Sequence, residues 1–300
     1  MTTNKINFSK YFKIANILSL SAVLISILFL FFKGLNYGVD FKGGTLLEIR
    51  IDNKNIQIQD IRSSLSMPEL GDVNVKQFGK EGDFLIKFEK NANENEKFIT
   101  TLKNTVSKKI GSEVNFRRVE TVGPKVSSEL LKQGLTAIVL ALGAMLFYIW
   151  IRFEWQFSLG SIIALVHDVV ITLGIFSILS FEVNLSIVAA VLTIVGYSMN
   201  DTVVIFDRIR ENLLKYSKIK TNEIADISVN ETLSRTVITS LTTLLALFSI
   251  FILGGEILKG FSFAMILGVI IGTYSSIFVA SPVLSYFKVT QETLLKDDNI

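Results

Sequence analysis

The sequence predicts a polytopic α-helical membrane protein with six transmembrane helices and one small α+β domain between the first two helices. Half of the 300 residues are hydrophobic and only 19% are charged, whereas roughly a quarter of the residues are charged in an ordinary soluble domain. The charges are also clustered, because residues 33 to 132 hold 17 Lys or Arg and 14 Asp or Glu. The rest of the chain is therefore strongly apolar, as expected for membrane spans around one water-soluble insert.

The composition excludes several classes of protein. The high hydrophobicity excludes a disordered chain. The 19 Gly follow no three-residue period, which excludes a collagen-like fibre, and the absence of Cys excludes a disulfide scaffold. Thiol chemistry is excluded, and a single histidine, His167, leaves little scope for zinc. The net charge of +3 forms no basic face with interleaved aromatic residues, so we expect no nucleic-acid partner. We also expect no cofactor and no metal site.

Six runs with few or no charges are long enough to be membrane spans, since a helix needs about 20 apolar residues to cross the hydrocarbon core. The last run is charge-free throughout and longer than this minimum, so we expect it to tilt or to extend into the interface. A signal peptide is the competing interpretation of the first run, but a signal core has only about 7 to 15 apolar residues and precedes a small-residue cleavage site. The predicted spans are residues 14–32, 133–151, 157–181, 185–206, 236–255 and 260–287.

Basic residues in the short connections predict the orientation of the spans. Lys and Arg concentrate in the N-terminal segment 1–13, in the connection 207–235 and in the C-terminal segment 288–300, and Arg152 follows the second span. Alternating spans place all of these on one side. We therefore predict that both termini are cytoplasmic and that residues 33–132 lie on the opposite side of the membrane.

The insert shows the element order β-α-β-β-α-β, which the ferredoxin-like fold uses. It contains no nucleophile-base or metal pattern, so we expect it to bind or position something rather than to react with it. Its first glycines, in segment 37–45, could be taken for a phosphate loop, but the G-x-x-x-x-G-K-[ST] spacing is missing. We interpret them as a tight exit from the membrane. The predicted strands are 45–51, 73–78, 83–88 and 114–122, the predicted helices are 56–65 and 98–110, and a hairpin turn is predicted at 79–82.

Ionisable groups within the spans require an explanation, because a charge near a helix centre costs about 2.5 to 3.5 kcal/mol on insertion scales. Asp168 lies near the middle of span three beside His167, and Asp201 follows Asn200 toward the cytoplasmic end of span four. Arg235 stands just before span five. Three structural alternatives stay open: Arg235 as a positive-inside anchor, Asp168 as a buried packing partner, and His167 as a packing residue.

Helical spacing gathers small and polar residues into stripes on spans three, four and five. Such stripes favour close helix packing and a hydrated path, so we expect these three spans to face one another. The stripes are Ser161, Ala164, Asp168 and Thr172 on span three; Thr193, Tyr197, Asp201, Val204 and Arg208 on span four; and Thr239, Thr242 and Ala246 on span five.

Several specific motifs spread over nearly the whole chain resemble the SecF members of the SecD/SecF family. The layout of six spans with one large loop between spans one and two is also similar to half of a transporter of the RND superfamily. The motifs are YGVDFKGGT (37–45), VETVGPKVSSEL (119–130), WIRFEWQF (150–157), ALVHDV (164–169), VGYSMNDTVVIFDRIREN (195–212) and SRTVITSLTTLLALF (234–248).

The resemblance implies a protein-export subunit of the bacterial inner membrane that uses the proton-motive force to help preproteins finish crossing. It implies SecD as a separate partner chain, the SecYEG channel, YajC and YidC as further partners, and a periplasmic location for the insert. By position in the motifs, it implies proton-coupling roles for Asp201 and Arg235. We group Asp168 with them as the second carboxylate within a span, and we add His167 and Asn200 because they directly precede Asp168 and Asp201 in the sequence.

Three alternatives to an export subunit remain open. The first is half of an RND-type exporter of lipids or small molecules, and the second is a non-conducting scaffold for the translocase. The third, an intramembrane enzyme, is disfavoured because no HExxH motif, catalytic carboxylate pair or Ser-His pair is visible. No Walker A motif is present either, so we expect no enzymatic activity and expect that any work done draws on a gradient or on a partner.

Overall fold

The computed structural model describes residues 6–53, 56–67, 70–77, 81–89, 96–216, 219–287 and 289–297. Parts of the predicted features lie outside these residues: Phe78, the turn residues Gly79 and Lys80, and the basic residues Lys5, Lys218 and Lys288. The chain forms two compact units. The helical unit comprises Met1–Asn36, Thr136–Glu182 and Ser186–Ile300, and the α+β unit comprises Tyr37–Leu135 with Val183–Leu185.

Five of the six described strands lie between the first two predicted spans in the sequence, and the sixth lies between the third and the fourth. A single 3-10 turn, Ser9–Tyr11, precedes the first helix, and a π-helical turn, Ser276–Ala280, interrupts the last span. The elements are α1 (Phe12–Phe32), β1 (Asn36–Tyr37), α2 (Val39–Lys42), β2 (Gly44–Ile51), α3 (Ile58–Ser64), β3 (Val73–Gln77), β4 (Asp83–Phe88), α4 (Glu96–Ile110), β5 (Val114–Val122), α5 (Pro124–Arg152), α6 (Trp155–Leu179), β6 (Glu182–Val183), α7 (Leu185–Lys215), α8 (Thr221–Leu253), α9 (Gly255–Ser275), α10 (Ser281–Tyr286) and α11 (Gln291–Asp297).

Six helical segments among the described residues are long and apolar enough to cross a membrane, which confirms the predicted number of spans. Each of them contains most of one predicted apolar run. Their bounds are Ser9–Phe32, Pro124–Arg152, Trp155–Leu179, Leu185–Lys215, Thr221–Leu253 and Leu258–Tyr286.

The connection predicted as a loop, 207–235, is helical over most of its described length. Helix α7 runs on to Lys215 and α8 already begins at Thr221. Polar pairs join the two helices here: the Nε atom of Arg208 lies 2.6 Å from Oε2 of Glu231, and Nδ2 of Asn212 donates to Oγ of Ser228 at 2.9 Å. The sequence prediction ended each span where charged residues begin. Glu, Lys, Arg and Leu are good helix formers, so the helix itself continues beyond the apolar run.

The sixth span is one apolar segment with a local break in its helical geometry. Helix α9 ends at Ser275, the π-helical turn follows, and α10 begins at Ser281 with Pro282 in its first turn. Proline has no backbone N–H and its ring crowds the preceding turn, so the backbone upstream must change its hydrogen-bond pattern. The hydroxyl of Ser281 donates to the carbonyl oxygen of Ser276 at 2.9 Å and so occupies one acceptor of this turn.

The α+β unit contains a four-stranded sheet in the order β3-β4-β2-β5, and every neighbouring pair in it is antiparallel. With α3 and α4 as the two connecting helices, this is the split β-α-β arrangement of the ferredoxin-like fold, as predicted. Alternate residues of β2 and β4, such as Leu47, Ile49 and Phe84, are fully buried and form a core with Ile61 of α3 and Leu102 of α4. This unit therefore has a hydrophobic core of its own.

Two glycines lead the chain from α2 into the first strand of this sheet. Gly43 and Gly44 have φ angles of +78° and +113°, which residues with a Cβ rarely adopt. A Cβ on Gly44 would lie 2.5 Å from the carbonyl oxygen of Phe88, the residue that pairs with the next position of β2. Glycine is therefore required at position 44 for two reasons: the backbone has a positive φ there, and β4 passes too close for a Cβ.

We expect Gly44→Ala to destabilise the α+β unit by more than the roughly 1–3 kcal/mol of backbone strain alone, because the new methyl group also collides with β4. Gly111→Ala is the control, since Gly111 also has a positive φ, at +70°, but no atom within 4 Å of its Cβ position. Urea-dependent proteolysis of this unit in the purified protein measures both changes. Equal losses for the two variants would contradict the proposed role of the close approach.

Candidate functional site

Asp168 is the most completely paired polar side chain in the middle of the helical unit. It lies on α6, is fully buried, and its Oδ1 lies 2.8 Å from Nδ1 of His167. Its Oδ2 accepts hydrogen bonds from Oγ of Ser198 at 2.5 Å and from Oγ of Ser275 at 2.8 Å. Because Ser198 belongs to α7 and Ser275 to α9, one carboxylate connects spans three, four and six.

His167 extends this cluster toward the first span. Its ring stacks on Tyr274, with centroids 6.2 Å apart, and the Tyr274 hydroxyl donates to the carbonyl oxygen of Ala15 at 2.9 Å. The same hydroxyl lies 2.9 Å from Oγ of Ser19. The Nε2 atom of His167 is buried and has no hydrogen-bond partner among the described residues. One face of the cluster therefore keeps an unused polar atom.

Glycines on α9 allow the helices to come close enough for these bonds. A Cβ on Gly272 would lie 3.0 Å from Cβ of Ser198, and one on Gly268 would lie 2.2 Å from Cγ1 of Ile194. Small residues at such positions let the backbones of membrane helices approach closely. The short serine side chains of α7 and α9 can then reach the Asp168 carboxylate.

Asp201 has a different environment, although it is also on α7 and only one turn beyond Ser198. Its side chain is buried, and Oδ2 has no hydrogen-bond partner in the described part of the chain. Arg235 is the charged group that acts on it electrostatically, yet no salt bridge within 4 Å joins Asp201 to a described basic residue. The buried hydroxyl of Thr236, next to Arg235, is also unpartnered among the described residues. Asp201 is thus a buried carboxylate with acceptor capacity to spare.

Two other predicted site residues lie on the exposed surface of the helical unit. Asn200 is exposed although its neighbour Asp201 is buried, because successive residues of a helix point about 100° apart. Arg235, which precedes the predicted fifth span, is exposed as well and lies within the long helix α8. Neither residue contributes a hydrogen bond to the Asp168 cluster.

The expectation that the stripes of spans three to five face one another needs a correction. The bonds to Asp168 come from spans three, four and six, while Thr242 and Ala246 of span five are exposed. The Thr242 hydroxyl bonds back to the carbonyl oxygen of Ile238 at 2.9 Å, so it needs no partner on another helix. Span five instead meets span six through Ser240 and Thr273, whose hydroxyls lie 2.8 Å apart.

Sequence reasoning missed the contribution of span six, although the sequence contains a signal for it. Ser275 and Tyr274 carry no charge and therefore do not stand out in a search for ionisable groups. A small residue recurs at every fourth position of this span, as in a helix interface. The repeat comprises Gly260, Ala264, Gly268, Gly272 and Ser276.

The arrangement offers proton-binding groups rather than a ligand cage. Within the described residues, no group of three or more His, Cys, Asp or Glu side chains could hold a metal ion. What the helical unit contains is one carboxylate satisfied by three partners and a second carboxylate that is buried with a free acceptor atom. A group of the second kind can gain or lose a proton with little rearrangement of hydrogen bonds.

Fold and site together define a polytopic membrane protein with a ferredoxin-like domain and ionisable groups inside its spans. Two family models match the chain: "SecD/SecF GG Motif" over residues 28–54, and "Protein export membrane protein SecD/SecF, C-terminal" over residues 102–290. The chain belongs to the SecD/SecF family of protein-export membrane proteins.

Curated relatives are similar over nearly the whole chain. The protein translocase subunit SecF of Rickettsia rickettsii is 43% identical over 287 residues, covering 95% of this chain and 93% of the relative. The SecF subunit of Desulfurispirillum indicum is 44% identical over 278 residues, covering 90% and 88%. These matches confirm the resemblance that the motifs indicated.

Solved structures of SecDF share the fold. The crystal structure of SecDF from Thermus thermophilus, described as a translocon-associated membrane protein, matches with a TM-score of 0.85 and 35% identity over 95% of this chain. A SecDF structure in a super-membrane-facing form matches with a TM-score of 0.71 and 33% identity over 100% of this chain. The matches cover 39% and 41% of those longer chains.

We expect Ser198→Ala and Ser275→Ala each to lower the free energy of unfolding of the helical unit by about 1–3 kcal/mol, because each leaves a buried carboxylate oxygen short of a donor. The double variant should lose less than the sum, since both hydroxyls serve the same oxygen. Ser276→Ala is the control, because the Ser276 hydroxyl donates only to the carbonyl oxygen of Thr273 within the same span. Denaturant titration in detergent micelles measures all four. Equal losses for Ser275→Ala and Ser276→Ala would contradict the role of Asp168 as the connecting group.

Proposed function

We propose that this chain is a SecF-like subunit that couples the proton-motive force to late steps of preprotein translocation across the bacterial inner membrane. The observation that carries this proposal is Asp201, a buried carboxylate in a membrane-spanning helix with an unpartnered oxygen atom among the described residues. Such groups are costly within a membrane and mark ion or proton pathways. Membership of the SecD/SecF family supplies the process that the proton pathway would serve.

The energetic scale of this mechanism is sufficient for a conformational switch. Burial penalises the charged form of a carboxylate, while a nearby guanidinium favours it, so Asp201 and Arg235 together form a proton site that can be loaded and emptied. Moving one charge through 100 mV corresponds to about 2.3 kcal/mol. This is enough to bias an equilibrium between two conformations that differ by a few kcal/mol.

The remaining site residues take supporting positions in this proposal. Asp168 and His167 form a hydrogen-bonded pair, and Asp168 also holds α7 in place through Ser198. Asn200 and Arg235 lie on the exposed surface of α7 and α8, where a polar side chain facing lipid is costly. We propose that a second polytopic chain, SecD, covers this surface and completes the proton path.

Membership of the SecD/SecF family supports a proposal for the wider assembly. The matched solved structures are of SecDF and the curated relatives are SecF subunits, which supports SecD as a partner. We propose that the pair works beside the SecYEG channel, with YajC and YidC as further partners, and that the chain has no enzymatic activity of its own. Both termini are proposed to be cytoplasmic, so that the α+β unit lies in the periplasm with the emerging preprotein.

We expect Asp201→Asn to insert and assemble normally but to lower potential-dependent export by about tenfold or more, because the amide cannot take up the proton whose movement through 100 mV supplies about 2.3 kcal/mol. Asp207→Asn is the matched control: Asp207 is on the same helix, but its side chain is 43% exposed and paired with Arg152. Export is measured in membrane vesicles with and without a collapsed membrane potential, after co-purification confirms assembly.

The outcomes separate the candidate functions. Wild-type export by an assembled Asp201→Asn complex would contradict proton coupling and favour a scaffold. Unchanged preprotein export combined with accumulation of a lipid or small molecule would favour an RND-type exporter. Loss of export in both Asp201→Asn and Asp207→Asn would show a general sensitivity of α7 to substitution rather than a proton site.

A further inference from the structure

Asp40 makes a long-range hydrogen bond that the role of the carboxylates in the spans does not explain. It lies in α2, the single helical turn within the YGVDFKGGT segment, and its Oδ2 accepts a hydrogen bond from the backbone N–H of Leu185 at 2.9 Å. The two residues are 145 positions apart in the sequence. Leu185 is the first residue of α7, and both partners belong to the α+β unit.

A carboxylate at this place suits the start of a helix. The first N–H groups of a helix have no acceptor within it, and the helix dipole favours a negative charge at its N-terminus. Such caps are commonly supplied by a residue just before the helix. Here an acceptor comes from a different part of the chain, so the bond fixes where α7 begins as well as satisfying a donor.

The turn that carries Asp40 is held firmly. The backbone N–H of Gly38 donates to the carbonyl oxygen of Val183 at 2.8 Å, only two residues before α7. Val39 and Phe41 on either side of Asp40 are buried, at 8% exposure each. Two independent bonds therefore join α2 to the segment that enters α7.

The other end of α2 leads directly into the sheet. Gly43 and Gly44 follow it, and a Cβ on Gly43 would lie 3.3 Å from the carbonyl oxygen of Val122 and 3.5 Å from Cα of Pro124, where α5 begins. The backbone thus passes from the cap of α7 into β2, a central strand of the sheet, with no flexible linker between them.

We propose that Asp40 is a positioning residue that links the start of α7, the helix bearing Asp201, to the first strand of the α+β domain. This inference rests on the proposed function, since it gives the movement of α7 a mechanical connection to β2. The bond transmits a displacement because it joins a helix end to a rigid turn. Without it, the bond from Gly38 to Val183 still joins the two segments, but the start of α7 itself is no longer held, so we expect the sheet to follow α7 less closely.

Two variants at Asp40 and one control variant at Asp72 test the link. Asp40→Ala removes the acceptor, Asp40→Asn keeps a neutral acceptor, and Asp72→Ala is the control, because Asp72 is an exposed carboxylate of the same domain. We expect Asp40→Ala to lower potential-dependent export about fivefold, because the loss of one helix cap typically costs about 1 kcal/mol, which corresponds to this factor in an equilibrium constant. Asp40→Asn should restore part of this loss, and Asp72→Ala should export at the wild-type rate.

A second readout separates coupling from simple damage. The chain contains no Cys, so Ser186→Cys introduces a single reactive thiol in the first turn of α7. We expect its alkylation rate to change when the membrane potential is collapsed. Adding Asp40→Ala should raise the alkylation rate measured before the potential is collapsed, because the start of α7 is released. The alkylation rate should still respond to the membrane potential, although export falls.

The inference fails if Asp40→Ala exports at the wild-type rate, or if its basal alkylation rate equals that of Ser186→Cys alone. It also fails if Asp40→Ala does not accumulate or assemble, because the bond then serves folding rather than coupling. Asp201→Asn distinguishes this failure from that of the proposed function. If Asp201→Asn abolishes the response to potential while Asp40→Ala is silent, only the link through Asp40 is wrong.

Discussion

A polar atom buried in an apolar bundle must find a partner or carry a penalty of several kcal/mol, and this constraint organises the helical unit. Asp168 meets it with three partners from its own helix and from two others. Asp201 meets it only in part, because one of its oxygen atoms is unpartnered among the described residues. The same residue type thus serves as a connector in one place and as an available acceptor in the other.

The difference between the two carboxylates depends on backbone distances rather than on their own chemistry. Serine has a short side chain and can donate to Asp168 only if α7 and α9 lie close together, which Gly268 and Gly272 allow. A larger residue at either glycine would collide with Ile194 or Ser198 before it affected any charge. The small residues of span six are therefore part of the site although they have no polar chemistry.

Much of the fold was predictable because it follows from local patterns. Apolar runs located the six spans, and alternation with turn residues located the strands of the ferredoxin-like unit. The helical continuation of 207–235 was missed, because the transition from lipid to water changes composition without changing helix propensity. The position of Asn200 on the exposed surface also needed the packing of neighbouring helices, which one sequence does not reveal.

The site was likewise predictable only where a feature is local to one helix. A search for charges inside spans finds Asp168, His167 and Asp201, because their cost is local to the helix that carries them. It does not find Ser275, whose role exists only when two helices meet, nor does it separate a satisfied carboxylate from an unsatisfied one. The Gly260 to Ser276 repeat marks span six as an interface helix but does not say which helix it contacts.

The arrangement on α7 determines how a change of charge at Asp201 can act. Ser198, one turn away, is bonded to Asp168 and packed against Gly272, so the helix has little freedom to adjust locally around Asp201. Packed interiors resist small local deformations and respond by shifting whole elements. In the proposed mechanism, a displacement that begins at Asp201 is therefore carried along α7 as a unit and reaches the start of the helix at Leu185, whose backbone N–H is bound by Asp40.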